Sequence, residues 1–397
     1  MKPGAALLVV VLAAAGLLAP APSAWTAPRI PASDDVVLER LPARPGDPAQ
    51  RELRKLRAAL AENPRDPARA IALARRHFEL AQAEGDPRHI GYGEAALRGV
   101  DETAATLAEL LVVRAQLAQY LHDFARALAL LERALAIEPD DPEALAWRAA
   151  VRMVQAEYAG ARRDCERLAQ VASELLGTGC RAHVAAATGS LRAAYAQLLE
   201  TLEQHPAARQ SLRQWVRILL ADLAQRLGDA RAADAHYRAA FALGEPDQYL
   251  LAAYAEFLLD ERRPAEAAAL LRGWERSDTL LLLIVRAART LGSADTPRLA
   301  SILQARYAEA AQRGTRLHAQ DEARFRLEFL GDAVGALEIA AQNWTEQREG
   351  ADARILLEAA LAARAPQAAR PVLDWLAASH YEDLRLARLA AELEALR

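Results

Sequence analysis

The sequence predicts an all-α fold, an α-solenoid of stacked antiparallel helix hairpins, on three observations. Alanine returns at positions 127, 161, 194, 233, 267, 336 and 369, mostly about every 34 residues, and a period of that length marks paired helices stacked in an array. Each of these alanines has Phe124, Tyr158, Leu191, Ala230, Pro264, Ala333 or Pro366 three residues before it. Four residues after it stands Leu131, Cys165, Leu198, Tyr237, Leu271, Ala340 or Leu373, the i, i+4 spacing of one helix face. Finally, Asp66-Pro67 and Asp141-Pro142 each read as an N-cap oxygen followed by proline in the first helical position.

Composition agrees with that fold and narrows the function. With 397 residues, 53% hydrophobic and 26% charged, the chain can bury a large core, and a solenoid lets it grow past the usual size of one domain. Glycines and β-branched runs are too sparse for a large sheet. A formal net charge of −4 argues against nucleic acid as the main ligand.

Read from the amino end, residues 1–23 are expected to be a secretory signal peptide. Lys2 supplies positive charge, Ala5 to Ala19 is apolar, and small residues follow from Ala19 to Ala24, with cleavage after Ser23. The apolar stretch is short for a membrane-spanning helix, and no cysteine stands near the cleavage point to be acylated. The mature protein is therefore expected in the periplasm or secreted, with no membrane span. Residues 24–47, with Pro28, Pro31, Pro42 and Pro45, read as a proline-rich extended linker.

The solenoid is expected over 48–397. Leu53, Leu56 and Leu60 give a first helix ended by Asn63-Pro64, and a second begins at Asp66-Pro67. The clearest repeats are 108–141, 142–175, 214–247 and 248–274. A longer connection near His205-Pro206 explains one wide spacing, and Ser277 to Gly314 holds a hairpin without the alanine pattern.

The best copies resemble the tetratricopeptide repeat (TPR), which implies a TPR-like superhelix. In the first copy the matching positions are Leu111, Ala115, Ala118, Phe124, Ala127, Leu131, Ala134 and Pro139, with Arg114 departing where leucine is usual. The second copy matches through Leu145, Ala149, Tyr158, Ala161, Cys165 and Leu168, and a later one through Leu220, Ala221, Gly228, Ala233, Tyr237 and Ala240. Together with the leader and linker, the layout resembles exported bacterial repeat proteins. The resemblance implies binding on the concave wall lined by the first helix of each hairpin. Extending the register places Gln116, Gln119, Tyr120, Met153, Trp215, Gln225, Arg226 and Tyr249 there, with Glu109, Val112, Glu143, His183, Asp222, Glu256 and Asp260 beside them. The Lys and Asn of the family's carboxylate clamp are not matched, since Val112, Gln116, Ala146 and Ala150 occupy those positions.

Catalytic and cofactor motifs are weak. Gly91-Tyr92-Gly93-Glu94-Ala95-Ala96 has the letters of a dinucleotide fingerprint, but no strand precedes it and no βαβ unit surrounds it; close helix approach at Gly93 is the expected role. The eight histidines are scattered without ligand spacing, so no metal or other cofactor is expected. Cys165 and Cys180 fall on adjacent helices and could pair in an oxidising compartment, the alternative being two buried thiols. The leading expectation is thus a non-catalytic exported scaffold for a protein or peptide partner, in envelope assembly or beside a membrane complex. The alternative is a periplasmic receptor for a small ligand or glycan, which needs an enclosed aromatic pocket.

Overall fold

The structure, a computed structural model, describes residues 48–100, 107–314 and 318–396. The expected signal peptide and linker lie outside the described residues. Among the described residues α1 (Pro48–Glu62) comes first, followed by nine hairpins and a last helix. The hairpins are α2 (Pro67–Glu84) with α3 (Arg88–Ala96), α4 (Leu107–Tyr120) with α5 (Phe124–Ile137), and α6 (Pro142–Val154) with α7 (Tyr158–Val171). Next come α8 (Glu174–Ala186) with α9 (Leu191–Gln204), α10 (Gln210–Arg226) with α11 (Ala230–Phe241), and α12 (Gln248–Asp260) with α13 (Pro264–Leu270). The last are α14 (Asp278–Thr290) with α15 (Thr296–Gln312), α16 (Ala319–Phe325) with α17 (Ala333–Asn343), α18 (Gly350–Ala362) with α19 (Arg370–Ser379), and the closing α20 (Leu384–Glu394). No strand occurs among the described residues.

The periodic alanines are the contact points of this stack. All seven are at most 3% exposed, and each faces its hairpin partner where a larger side chain would hold the helices apart. The hairpin that skips the pattern uses other residues: α15 buries Leu299, Leu303 and Tyr307 and no alanine. Caps also act as expected. Asp66 Oδ1 accepts from the backbone N–H groups of Ala68 and Arg69 at 3.0 and 3.3 Å, and Asp141 Oδ1 from those of Glu143 and Ala144 at 2.8 and 3.3 Å. In the first hairpin Gly93 lies inside α3, where a Cβ would come within 3.1 Å of Leu117. In α15 Asp295 takes the cap position and Thr296 is the first residue of the helix.

A second periodicity sits five residues before each alanine. His122, Ala156, Gly189, Gly228, Arg262, Gly331 and Arg364 all have positive φ, as does Gly292 in the hairpin without the alanine. At seven of these eight turns the next N–H reaches back five residues to a carbonyl, as Glu157 N to Arg152 O at 2.8 Å and Arg263 N to Leu258 O at 2.7 Å, the bond that closes a left-handed helix end. In the eighth, Asp332 N reaches Arg326 O at 3.1 Å, one residue further, because Arg326–Leu330 is a π-helical turn. Non-glycine residues in this conformation cost roughly 1 kcal/mol each. Ala156→Gly and Arg262→Gly are therefore each expected to raise the unfolding free energy by up to about 1 kcal/mol, less the greater freedom glycine gives the unfolded chain; urea unfolding midpoints measure it, and a drop at both sites would contradict it.

Cys165 and Cys180 form a disulfide with Cα atoms 5.3 Å apart, joining α7 to α8. Ser190 stands at the N-cap position of α9 but makes no capping hydrogen bond with its side chain.

Candidate functional site

The first helices turn one side toward the superhelix axis, and at the amino end that side is locked by a ladder of charges. Arg75 on α2, Glu109 on α4 and Glu143 on α6 stand one repeat apart. Arg75 donates to both oxygens of Glu143 at 2.7 and 2.8 Å and to Glu109 at 3.3 Å. Gln116 Nε2 adds a bond to Glu143 at 2.6 Å. Salt bridges of this kind fix register between neighbouring helices more than they add stability.

From α6 onward the inner wall opens into a chamber of about 450 Å³. Its far side is made by the chain's own carboxyl-terminal hairpins, which fold back into the superhelix. Arg348 N donates to Val154 O at 2.8 Å, and Gln347 Nε2 meets His122 Nδ1 at 2.8 Å. Trp375 Nε1 donates to the Tyr158 hydroxyl at 3.1 Å, and Leu191 N to Glu382 Oε1 at 3.0 Å. Arg226 on α10 donates Nε to Glu382 O at 3.1 Å and Nη2 to Ala186 O, with its guanidinium 3.9 Å above the Tyr381 ring. Arg354 on α18 grips Asp260 at the end of α12 with bonds of 2.6 and 2.8 Å. The concave face is thereby a partly enclosed chamber, narrowed by the carboxyl-terminal hairpins.

That closure divides the residues expected on the concave wall. Met153, Gln225, Arg226 and Tyr249 line the chamber, with His183, Asp222 and Glu256. Gln116, Gln119, Tyr120 and Trp215 do not. Gln116 is 3% exposed and belongs to the charge ladder. Tyr120 packs edge-on to Phe78 and donates to Ala81 O at 3.3 Å in the seam with α2. Gln119 is half-buried on α4. Trp215 covers Gly179 of α8, where a Cβ would lie 2.5 Å from its ring. Val112 is fully buried in the core, because the α4 face chosen by extending the register points partly between helices. Sequence reasoning missed Glu349, Tyr381 and Asp383, which enter from the connections before α18 and α20, and Arg385 in the first turn of α20.

Burial sets the charges. Glu349 has its side chain exposed to the chamber, and the crowding of the surrounding wall, with Asp352 and Asp222 adding repulsion, pushes its carboxyl up to about 8. The crowded surroundings likewise raise the Tyr249 hydroxyl, although its ring is exposed to the chamber, with Asp222, Glu349 and Asp247 adding to the effect. Asp352, which accepts from Glu349 N at 3.1 Å, is raised to about 6, burial first. Asp260 is held below the usual carboxylate range: burial opposes ionisation, but Arg354, Arg385 and Arg286 prevail. Among the described residues no group of three His, Cys, Asp or Glu side chains is placed to hold a metal.

Three histidines give an acid-sensitive fold. Burial lowers His77, His122 and His236 to about 4, helped respectively by His89, His318 and Arg217. His77 Nδ1 and His89 Nδ1 share a bond of 2.9 Å, so at least one of the pair must be neutral. Between about pH 6.5 and 4 the unfolded chain binds protons that the fold refuses, so stability is complete above that window and falls through it as pH drops. For His77 the loss is on the order of 3 kcal/mol. Glu349 works oppositely, favouring the fold below about pH 4.5 and losing that contribution as pH rises through about 8. Urea unfolding across pH should show His77→Gln flattening the acid slope and Glu349→Gln flattening the alkaline one; unchanged slopes would contradict both assignments.

No family model matches the sequence, and no curated protein matches it. Solved structures do resemble it. A tetratricopeptide repeat protein from Parabacteroides merdae ATCC 43184 is 18% identical over 60% of this chain and 92% of its own, with a TM-score of 0.43. The Cut9-Hcn1 hetero-tetramer of APC/C is 12% identical over 82% of this chain and 62% of its own, with a TM-score of 0.35. Likenesses at this level concern the fold alone. The decisive observation is internal: hairpins at a period of about 34 residues, seven of the nine described with a left-handed turn and, five residues on, a buried alanine. The chain is an all-α solenoid of TPR-like helix hairpins. No helix among the described residues is long and apolar enough to cross a membrane.

Proposed function

We propose that this TPR-type protein is an exported, non-catalytic scaffold whose concave wall receives a protein or peptide partner, in cell-envelope assembly or beside a membrane complex. The observation that carries the reading is the chamber itself, a mixed polar and aromatic surface lined by the first helices and of the kind that recognises peptide segments. Its size favours a chain terminus or a short loop of the partner over a long helix. The leader-like residues 1–23 and the Cys165–Cys180 pair support an oxidising, extracytoplasmic setting. A second reading, a receptor for a small ligand or glycan, is favoured by the closure of the chamber with Tyr158, Tyr237, Tyr249 and Tyr381 in its wall.

A photoreactive phenylalanine at Tyr249, compared with one at the exposed Glu132 on α5, tests the scaffold reading in the organism's own envelope. The expected result is a discrete protein adduct from position 249 and none of the same size from 132. Identical adducts from both positions would refute binding in the chamber. The localisation is tested separately, by fractionation and by the amino-terminal residue of the mature chain, expected to be Ala24.

A further inference from the structure

The chamber already holds one cation, and a neighbouring part of the same wall offers a similar setting. Arg226 lies over the Tyr381 ring at 3.9 Å, donates to two carbonyls, and has Nη1 at 3.7 Å from Asp222. This is an aromatic face, a set of acceptors and a carboxylate around a guanidinium. Tyr249 on α12 presents an aromatic face near the same Asp222, without a guanidinium from the chain. It is 65% exposed, more than any other large apolar side chain among the described residues, and the exposed surface faces the chamber. Neither cation–ring contact among the described residues involves it. The charges acting on it are Asp222, Glu349 and Asp247, all acidic.

Asp222 is the shared element. Its side chain is 44% exposed, and its nearest cation, Arg226, stands beyond hydrogen-bond distance with two of its nitrogens given to carbonyls. Glu349 stands close enough to Asp222 and Tyr249 for each to feel the other. We propose that the chamber binds an organic cation, an ammonium or guanidinium group, against the Tyr249 ring and between the carboxyl groups of Asp222 and Glu349. This rests on the reading of the chamber as the binding surface, and it names the chemistry recognised there. The cation belongs either to a free amine or to the amino terminus or a basic side chain of a partner peptide.

The charge balance around Glu349 gives a pH signature. Asp352 on its own helix, Asp222 on α10 and Tyr249 on α12 surround it, with Tyr158 and Tyr381 beyond. Arg348, the neighbouring base, is tied to Trp344 O at 3.3 Å and acts on Tyr158. A cation placed between the carboxyl groups favours the ionised form of Glu349, so uptake releases a proton near neutral pH and affinity rises as pH increases through about 8.

Isothermal titration calorimetry of the full mature chain tests this with putrescine, agmatine and the peptide Lys-Gly-Gly as probes, and succinate and glucose as controls. The expected result is binding of at least one cationic probe. Affinity should rise about tenfold between about pH 6.5 and 8.5, with proton release seen by comparing two buffers. Asp222→Asn and Tyr249→Leu should each weaken binding about tenfold, while Tyr249→Phe, which keeps the ring, should not. Unfolding midpoints of the variants separate lost contacts from lost folding. Binding of the peptide but not of the free amines assigns the cation to a partner chain, and the reverse assigns it to a small molecule. Succinate or glucose binding as well as the amines, no cationic probe binding, or indifference of binding to Asp222→Asn and Tyr249→Leu would overturn the proposal. Protein adducts from position 249 without amine binding would sink this inference and leave the scaffold reading standing; amine binding without protein adducts would do the opposite.

Discussion

Asp260→Ala is expected to destabilise the protein by about 3 kcal/mol, more than any other single change to the inner wall. Asp260 and Arg354 have side chains only 18% and 17% exposed, and Arg385 approaches the same carboxylate at 3.4 Å. Removing the acid leaves two guanidinium groups facing each other with their desolvation uncompensated, and breaking a buried pair from one side typically costs about 3–5 kcal/mol. The low end applies because Glu358, bonded to Arg354 Nε at 2.8 Å, remains. The loss should be largely recovered in Asp260→Leu combined with Arg354→Met, since replacing both partners by apolar groups of similar volume is often neutral. A double-mutant cycle in urea measures both terms. The same substitutions should raise amide exchange in α18 and α20, because Asp260 ties both helices to α12. Equal exchange in wild type and variant would show that the carboxyl-terminal hairpins are held by packing alone.

This closure was the part of the molecule least legible in the sequence. Local patterns sufficed for the hairpins: the N-caps at Asp66 and Asp141, the turns before Phe124 and Tyr158, and the alanine faces are decided within one repeat. Even the hairpin that broke the pattern betrayed itself, since its wide spacing reflects Leu299 and Leu303 doing what alanine does elsewhere. The curvature of the array is different in kind. It sums small rotations at each interface, and the meeting of Gln347 with His122, or of Arg354 with Asp260, depends on all of them together. A register extended helix by helix therefore placed Met153, Gln225, Arg226 and Tyr249 on the chamber and Gln116 in the charge ladder beside it, but misdirected Tyr120 and Trp215. It also gave no reason to look for Glu349 or Tyr381 opposite them. One trace existed in the sequence: Asn343 to Gly350 and His380 to Asp383 are connections rich in polar and aromatic residues, more elaborate than a solvent-facing turn requires.

The α7–α8 junction should be the other sensitive point, for reasons that combine chain entropy and contact distance. Replacing both Cys165 and Cys180 by alanine is expected to cost about 3 kcal/mol, the loop-closure entropy for a separation of 15 residues. Cys165 is 1% exposed, so loss of its packing adds to that figure. Gly177, one turn before Cys180, makes a second test independent of redox state. A Cβ there would stand 2.6 Å from Ala169 Cα and 2.8 Å from its Cβ, closer than carbon atoms approach. Glycine to alanine inside a helix normally stabilises by about 1 kcal/mol; here overpacking reverses the sign, and Gly177→Ala is expected to cost about 1–3 kcal/mol. Urea unfolding with and without reductant separates the two effects. Reductant should lower the midpoint of wild type and of Gly177→Ala alike, and leave the double alanine variant unmoved. If Gly177→Ala instead raised the midpoint, α7 and α8 would be further apart than the structure places them, and the covalent link would be spanning a looser seam.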